Sequence, residues 1–185
     1  MADPHEPPHP LDRAVVAARS GESTGFDTLY RRLAGPITAF ARTRGAADPE
    51  GVCNETFLRA FRSIREFEGD GAAFRRWSFS ICRNQLIDDH RRRQRRPDEV
   101  LAEPPVITQP SAEDAALEQL AGTDVGRILR ELTDEQREVI VLRLVADLSL
   151  ADTAEIVGRP VTAVKRLQAR ALKRLQSEIL RQEVS

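Results

Sequence analysis

Arginine is the residue type through which this sequence would act, and its spacing gathers it into two blocks. Between Gly71 and Arg96 eight arginines stand against only Asp88 and Asp89, and between Arg159 and Arg181 seven bases stand against only Glu178. Guanidinium groups rarely work by titrating; they hold phosphates and guanine edges through paired N–H donors. From Pro97 to Asp124 the chain carries seven acids and no base. The net charge of −1 therefore conceals two cationic regions separated by an anionic spacer, the pattern of a polyanion binder with two contact regions. Five arginines within the six residues from Arg91 to Arg96 exceed what a helix C-terminus needs to complement its dipole.

The groups an enzyme would need do not assemble in the sequence. His5 and His9 lie in a proline-rich start and His90 in the arginine run, none beside a nucleophile motif. There is no phosphate-cradling glycine loop, no H-E-x-x-H helix and no EF-hand loop. Cys53 and Cys82 are far apart, fit apolar helix faces, and read as core thiols. The expectation is no catalytic residue, no metal and no cofactor. No apolar run exceeds a handful of residues, as in Val139 to Leu142, and the first ten residues hold no apolar stretch, so neither membrane insertion nor a secretory signal is expected. A reduced cytoplasmic setting fits the thiols.

The elements that must position the arginines are helical: period-3.6 patterning runs almost throughout, and strand signals are nearly absent. The expected class is all-α, with two small helical domains joined by a flexible acidic linker. A first helix runs from about Phe26 to Arg42, with Phe26, Leu29, Tyr30, Leu33, Ile37 and Phe40 on one face. A second starts at Asp48-Pro49, an N-cap followed by proline, and carries Cys53, Phe57, Phe61 and Ile64. After a break at Glu68 to Gly71, a third helix from Ala72 to Arg96 is apolar on two sides, which suits burial between neighbours and makes Trp77 a packing residue. Four prolines between Pro97 and Pro110 mark the linker, and a helix is expected from about Ala112 to Leu132.

Thr133 with Gln136 forms a capping box, and Ser149 to Asp152 opens the next helix, which Gly158 closes. Beyond Gly158-Arg159-Pro160 a long helix begins, with Val161, Val164, Ala171, Leu172 and Leu175 expected to face inward. A short helix, a glycine turn and a longer basic helix make a helix-turn-helix, whose second helix enters the major groove by its N-terminal half. Thr162, Lys165, Arg166 and Ala169 then project outward. The resulting division is a tail over 1–24, a first domain over 25–96, the linker over 97–122 and a second domain over 123–183. With few apolar residues in the linker, the two domains are expected to be separable.

Asn54-Glu-Thr-Phe-Leu-Arg-Ala-Phe61, then Phe74-Arg-Arg-Trp77 and Ile81-Cys-Arg-Asn-Gln-Leu-Ile-Asp88 with the arginine run, resemble region two of sigma-70-type bacterial RNA polymerase sigma factors. Leu132-Thr-Asp-Glu-Gln-Arg-Glu-Val-Ile-Val-Leu-Arg143, Asp147-Leu-Ser149 and Ala154-Glu-Ile-Val-Gly158 resemble region four. With no region one or three recognisable, the chain looks like the extracytoplasmic-function (ECF) group. That resemblance implies a non-catalytic, dissociable specificity subunit, cytoplasmic and nucleoid-associated. It would direct core RNA polymerase to particular promoters and assist their opening, and an anti-sigma factor would be a further partner.

By the same resemblance, Glu50, Asn54, Glu55, Leu58 and Arg62 would meet the clamp helices of the largest polymerase subunit. Asp70, Arg75, Arg76, Asn84, Asp88, Arg91 and Arg92 would meet the minus-ten element, with a base pocket in the loop from Glu66 to Ala73. Arg159, Thr162, Lys165, Arg166, Ala169 and Arg170 would meet the minus-thirty-five element, and the second domain would pack on the flap of the other large subunit. The chain departs from the family pattern at Asn54, which shortens a usual glutamine, and at Arg159-Pro160, where a small cap is common. The competing reading is a helix-turn-helix regulator that binds DNA alone as a dimer.

Overall fold

In the computed structural model, residues 9–95, 129 and 131–183 are described, and every helix or strand assigned among them is helical. Helix α1 covers Asp12–Arg19, α2 Ser23–Thr43, α3 Pro49–Arg62 and α4 Gly71–Arg95; then α5 covers Asp134–Ile140, α6 Leu150–Val157 and α7 Val161–Glu183. Local chemistry sets several of these boundaries. The Asp48 carboxylate accepts from Gly51 N at 2.8 Å with Pro49 in the first turn, starting α3. Thr133 and Gln136 cap each other's backbone N–H groups and start α5. Ser149 Oγ accepts from Asp152 N at 3.0 Å and starts α6. Gly158 ends α6 in the left-handed conformation, φ 68°, which glycine adopts without strain.

The first unit packs α2, α3 and α4 around Leu29, Leu33, Ile37, Phe40, Phe57, Phe74, Phe79 and Cys82, all buried. Helix α4 is buried on both sides as its sequence requires, and Trp77 is half-buried, stacked on Phe67 with ring centroids 5.0 Å apart. Pro36 lies inside α2 without ending it.

Within the stretch expected as a tail, residues 9–24 are described, and they contain a buried helix. Leu11 and Val15 are each 1% exposed and Ala18 is fully buried, so α1 is a wall of the first core. It lies so close to α2 that a β-carbon on Gly25 would sit 2.3 Å from Ala18 N; only glycine permits that approach. The N-terminus of α4 is tied to the same wall, with Gly71 N donating to Asp12 Oδ1 at 2.8 Å.

The second unit differs from expectation in two ways. Val164 and Ala171 on α7 are fully buried and Leu175 half-buried, but Val161 and Leu172 are 39% and 43% exposed. At 100° per residue those two lie about 60° and 80° from the Val164 line, outside the narrow stripe that α7 buries. More consequentially, the unit does not keep its apolar residues to itself. Val141, Leu142, Ala146, Leu148 and Ile156 join the core of the first unit, through contacts of α2 with α5 and the π-helical turn after it, and of α4 with α6. The two units thus meet across a shared apolar seam. The linker, and the helix expected from Ala112 except for Leu129, Glu131 and Leu132, lie outside the described residues.

Candidate nucleic-acid interface

Helix α7 buries one narrow line of its surface. Val164 and Ala171 anchor it, and Thr162, Lys165, Arg166, Ala169 and Arg170 are all exposed on the opposite side of its N-terminal half. The α6–turn–α7 pair therefore has helix-turn-helix form, with α6 held against α7 by Ala154, Val157 and Leu167. Lys165, Arg166 and Arg170 present donors suited to guanine edges and phosphates. Arg159, just before the helix, is ion-paired with Glu135 of α5.

The residues expected at the minus-ten element do not share one face. Asn84, Asp88 and Arg91 form an exposed stripe at i, i+4 and i+7 along the C-terminal half of α4, flanked by Arg92, which pairs with Asp89. Arg75 lies about 180° from Asn84 around the helix and points to the second unit. Its Nη1 donates to Asp147 Oδ2 at 2.9 Å and to the Asp147 carbonyl at 3.1 Å. Arg76 Nη1 donates to Asp152 Oδ1 at 3.2 Å. Asp70 acts as a cap, accepting from Ala73 N at 2.8 Å.

On α3, Leu58 is 52% exposed beside exposed Arg62, an apolar spot in a polar surface. Its neighbours are already ordered: Arg42 donates to Glu50 at 2.8 Å, Arg59 to Glu55 at 2.7 Å, and the Tyr30 hydroxyl to Asn54 Oδ1 at 3.0 Å. A groove of about 410 Å³ runs from the start of α3 to the end of α4, lined by Asp48, Glu55, Arg59, Gln85, Asp89 and Arg92.

Sequence reasoning missed Arg44, Arg83 and Glu138, because their meaning comes from packing. The Glu138 carboxylate on α5 is buried between Arg44, 3.1 Å away, and Arg83, 3.8 Å away, where the two units touch. Burial pushes its pKa above the usual carboxylate value even though both arginines pull it down. Burial likewise raises the Cys53 thiol and pushes Cys82 up to about 12, so neither offers a thiolate at neutral pH. Among the described residues no cluster of His, Cys, Asp and Glu could hold a metal ion, and no helix is long and apolar enough to cross a membrane.

This geometry has close relatives. Residues 29–96 match the family described as Sigma-70 region 2, and residues 123–175 match Sigma-70, region 4. The RNA polymerase sigma factor CnrH of Cupriavidus metallidurans is 30% identical over 92% of this chain and 95% of its own length. This chain belongs to the ECF group of sigma-70 factors. The ECF RNA polymerase sigma factor BldN of Streptomyces coelicolor is 34% identical over 87% of this chain, and the matched stretch spans 62% of BldN. CnrH solved in complex with the cytosolic domain of CnrY superposes with a TM-score of 0.60, at 27% identity over 91% of this chain and 97% of that one. Sigma factor RpoE from Bartonella quintana, in complex with the anti-sigma factor NepR, also gives 0.60, at 25% identity over 83% and 96%. The sigma factor is accordingly a protein of promoter-specific transcription initiation, from a family of polymerase specificity subunits that are not themselves catalysts.

Proposed function

We propose that this sigma factor binds core RNA polymerase through α3, reads the minus-thirty-five element with α7 and the minus-ten element with α4, and releases DNA and core when an anti-sigma factor holds it. One observation carries the reading: Thr162, Lys165, Arg166, Ala169 and Arg170 are all exposed along the half of α7 that a helix-turn-helix lays into the major groove, opposite fully buried Val164 and Ala171. Lys165 and Arg166 read bases, while Arg159, Thr162 and Arg170 hold phosphates and Ala169 lets the backbone approach. Asn84, Asp88, Arg91 and Arg92 line the minus-ten strand, and Arg75 and Arg76 meet its phosphates near the loop from Glu66 to Ala73, where an unstacked base is captured. Taking a base out of the stack costs roughly a few kcal/mol.

Glu50, Asn54, Glu55, Leu58 and Arg62 dock on the clamp helices of the largest polymerase subunit, an apolar centre with a polar rim. The second unit packs on the flap of the other large subunit. The anti-sigma partner is supported by the relatives solved as complexes, CnrH with CnrY and RpoE with NepR. The test is capture of core polymerase by a chain carrying Glu55→Arg and Leu58→Arg. Core binding should be lost while circular dichroism stays helical; undiminished capture would refute the α3 assignment.

A further inference from the structure

We infer that Asp12 of α1 is a positioning residue for promoter opening: it fixes the loop from Glu66 to Ala73 in the shape that receives an unstacked minus-ten base. The role rests on the base capture proposed for that loop. Helix α1 holds the loop at both ends. It lies against the 3-10 turn Ile64–Glu66, where the loop begins, and against α4, where the loop ends. At the second contact Asp12 Oδ1 accepts from Gly71 N at 2.8 Å. The two chains approach so closely that a β-carbon on Gly71 would sit 2.5 Å from His9 Nδ1, 2.7 Å from Leu11 Cβ and 2.8 Å from Asp12 N. Leu11, buried beside Asp12, anchors that end of α1 in the core.

Asp12 supplies what the loop itself does not. Gly71 opens α4, so its N–H finds no acceptor within that helix. The local cap, Asp70, gives the same oxygen count to a different group, its Oδ1 accepting from Ala73 N at 2.8 Å. Asp12 also stands in the first turn of α1, where negative charge is favoured, so one carboxylate serves the N-terminal ends of two helices. At the far end of the loop Phe67 N donates to the Ile64 carbonyl at 3.2 Å. The Phe67 ring packs on Phe74 and Trp77, with centroids 5.5 Å and 5.0 Å away, while Glu66, Glu68 and Asp70 stay exposed. The loop is thus ordered before DNA arrives, and its ordering does not subtract from the binding of the captured base. Removing the Asp12 acceptor leaves the buried Gly71 N–H unpaired and loosens one end of the loop. No group assigned to DNA is touched by that change.

The test uses holoenzyme assembled from core polymerase and the full chain. Fluorescence anisotropy measures binding to single-stranded minus-ten oligonucleotides in which each base in turn is replaced by an abasic site. With the wild-type chain one abasic position should weaken binding far more than its neighbours, which marks the captured base. Asp12→Ala should weaken the intact oligonucleotide about tenfold, equivalent to about 1.4 kcal/mol, and remove most of the penalty at that position alone. Asp12→Asn loses the same charge but keeps the acceptor, and should stay within about twofold of wild type. Both variants should still capture core and keep the Trp77 fluorescence of the folded chain. If Asp12→Ala does not fold, Asp12→Glu, which carries the carboxylate one methylene further out, takes its place and should show a smaller loss at the same position. Penalties that stay unchanged at every position, or fall alike at all of them, overturn the inference and leave the base pocket standing; so does an Asp12→Asn chain as weak as Asp12→Ala. A wild-type chain with no abasic-sensitive position overturns the pocket itself, and the positioning role with it.

Discussion

Truncating Leu142 should destabilise the part of the molecule it does not belong to. Leu142 lies in the π-helical turn after α5, is fully buried, and belongs to the same apolar cluster as Phe40, Phe79 and Leu86 of the first unit. Leu142→Ala removes about three methylene equivalents, worth roughly 2.4 kcal/mol in transfer at about 0.8 kcal/mol each. The residual cavity raises the cost to about 3 kcal/mol, within the usual range for buried leucines. With an m-value of about 2 kcal/mol per M, the urea midpoint should fall by roughly 1.5 M. The chain's single tryptophan, Trp77, sits in the first unit against Phe67 and Phe74 and reports that unit by fluorescence. The adjacent Leu144, 58% exposed, is the control, and Leu144→Ala should stay within about 0.5 kcal/mol of wild type. A Trp77 transition unmoved by Leu142→Ala would refute the shared core.

Three further outcomes follow from the same structure. Arg166→Ala should weaken binding to one minus-thirty-five sequence by about tenfold, while Arg170→Ala should weaken all sequences alike and lower the salt slope by about one; titration across single-base variants distinguishes them. Gly25→Ala should lower stability by about 1–3 kcal/mol in thermal melting despite alanine's better helix propensity, because the new carbon meets Ala18 N and Ala14 O, backbone atoms that cannot swing aside. His9 accepts from Leu11 N at 3.2 Å, and burial first, then the Arg75 cation, lowers its pKa below 6.5. The unfolded chain then binds the proton first, so stability should decline as pH falls through 6.5 toward the folded value. His9→Asn should flatten that decline in urea midpoints measured between about pH 7.5 and pH 5.5.

Features that depend on a few adjacent residues were readable from the sequence. The Thr133–Gln136 box, the Asp48-Pro49 start and the Gly158 stop each act within one helical turn. So was the outward set on α7, because Val164 and Ala171 share a line with period 3.6. Features that depend on distant packing were not. Helix α1 has only eight residues, rich in alanine, and its burial follows from the missing side chain at Gly25. Val141, Leu142 and Ile156 read equally well as the interior of their own unit; only the fold shows them reaching into the first. Arg75 and Arg76 stand side by side in sequence with Asn84 and Arg91 nearby, yet the turn of α4 sends them to another face, toward acids more than seventy residues away.

Run-off transcription tests the central claim most directly, with purified core polymerase, the full chain, and templates drawn from a genomic promoter library. The account predicts transcripts from discrete start sites that require the chain, disappear with Glu55→Arg and Leu58→Arg, and shift in template preference with Arg166→Ala. A chain that binds these templates as a dimer without core, and yields no start-site-specific transcript with it, would contradict the account.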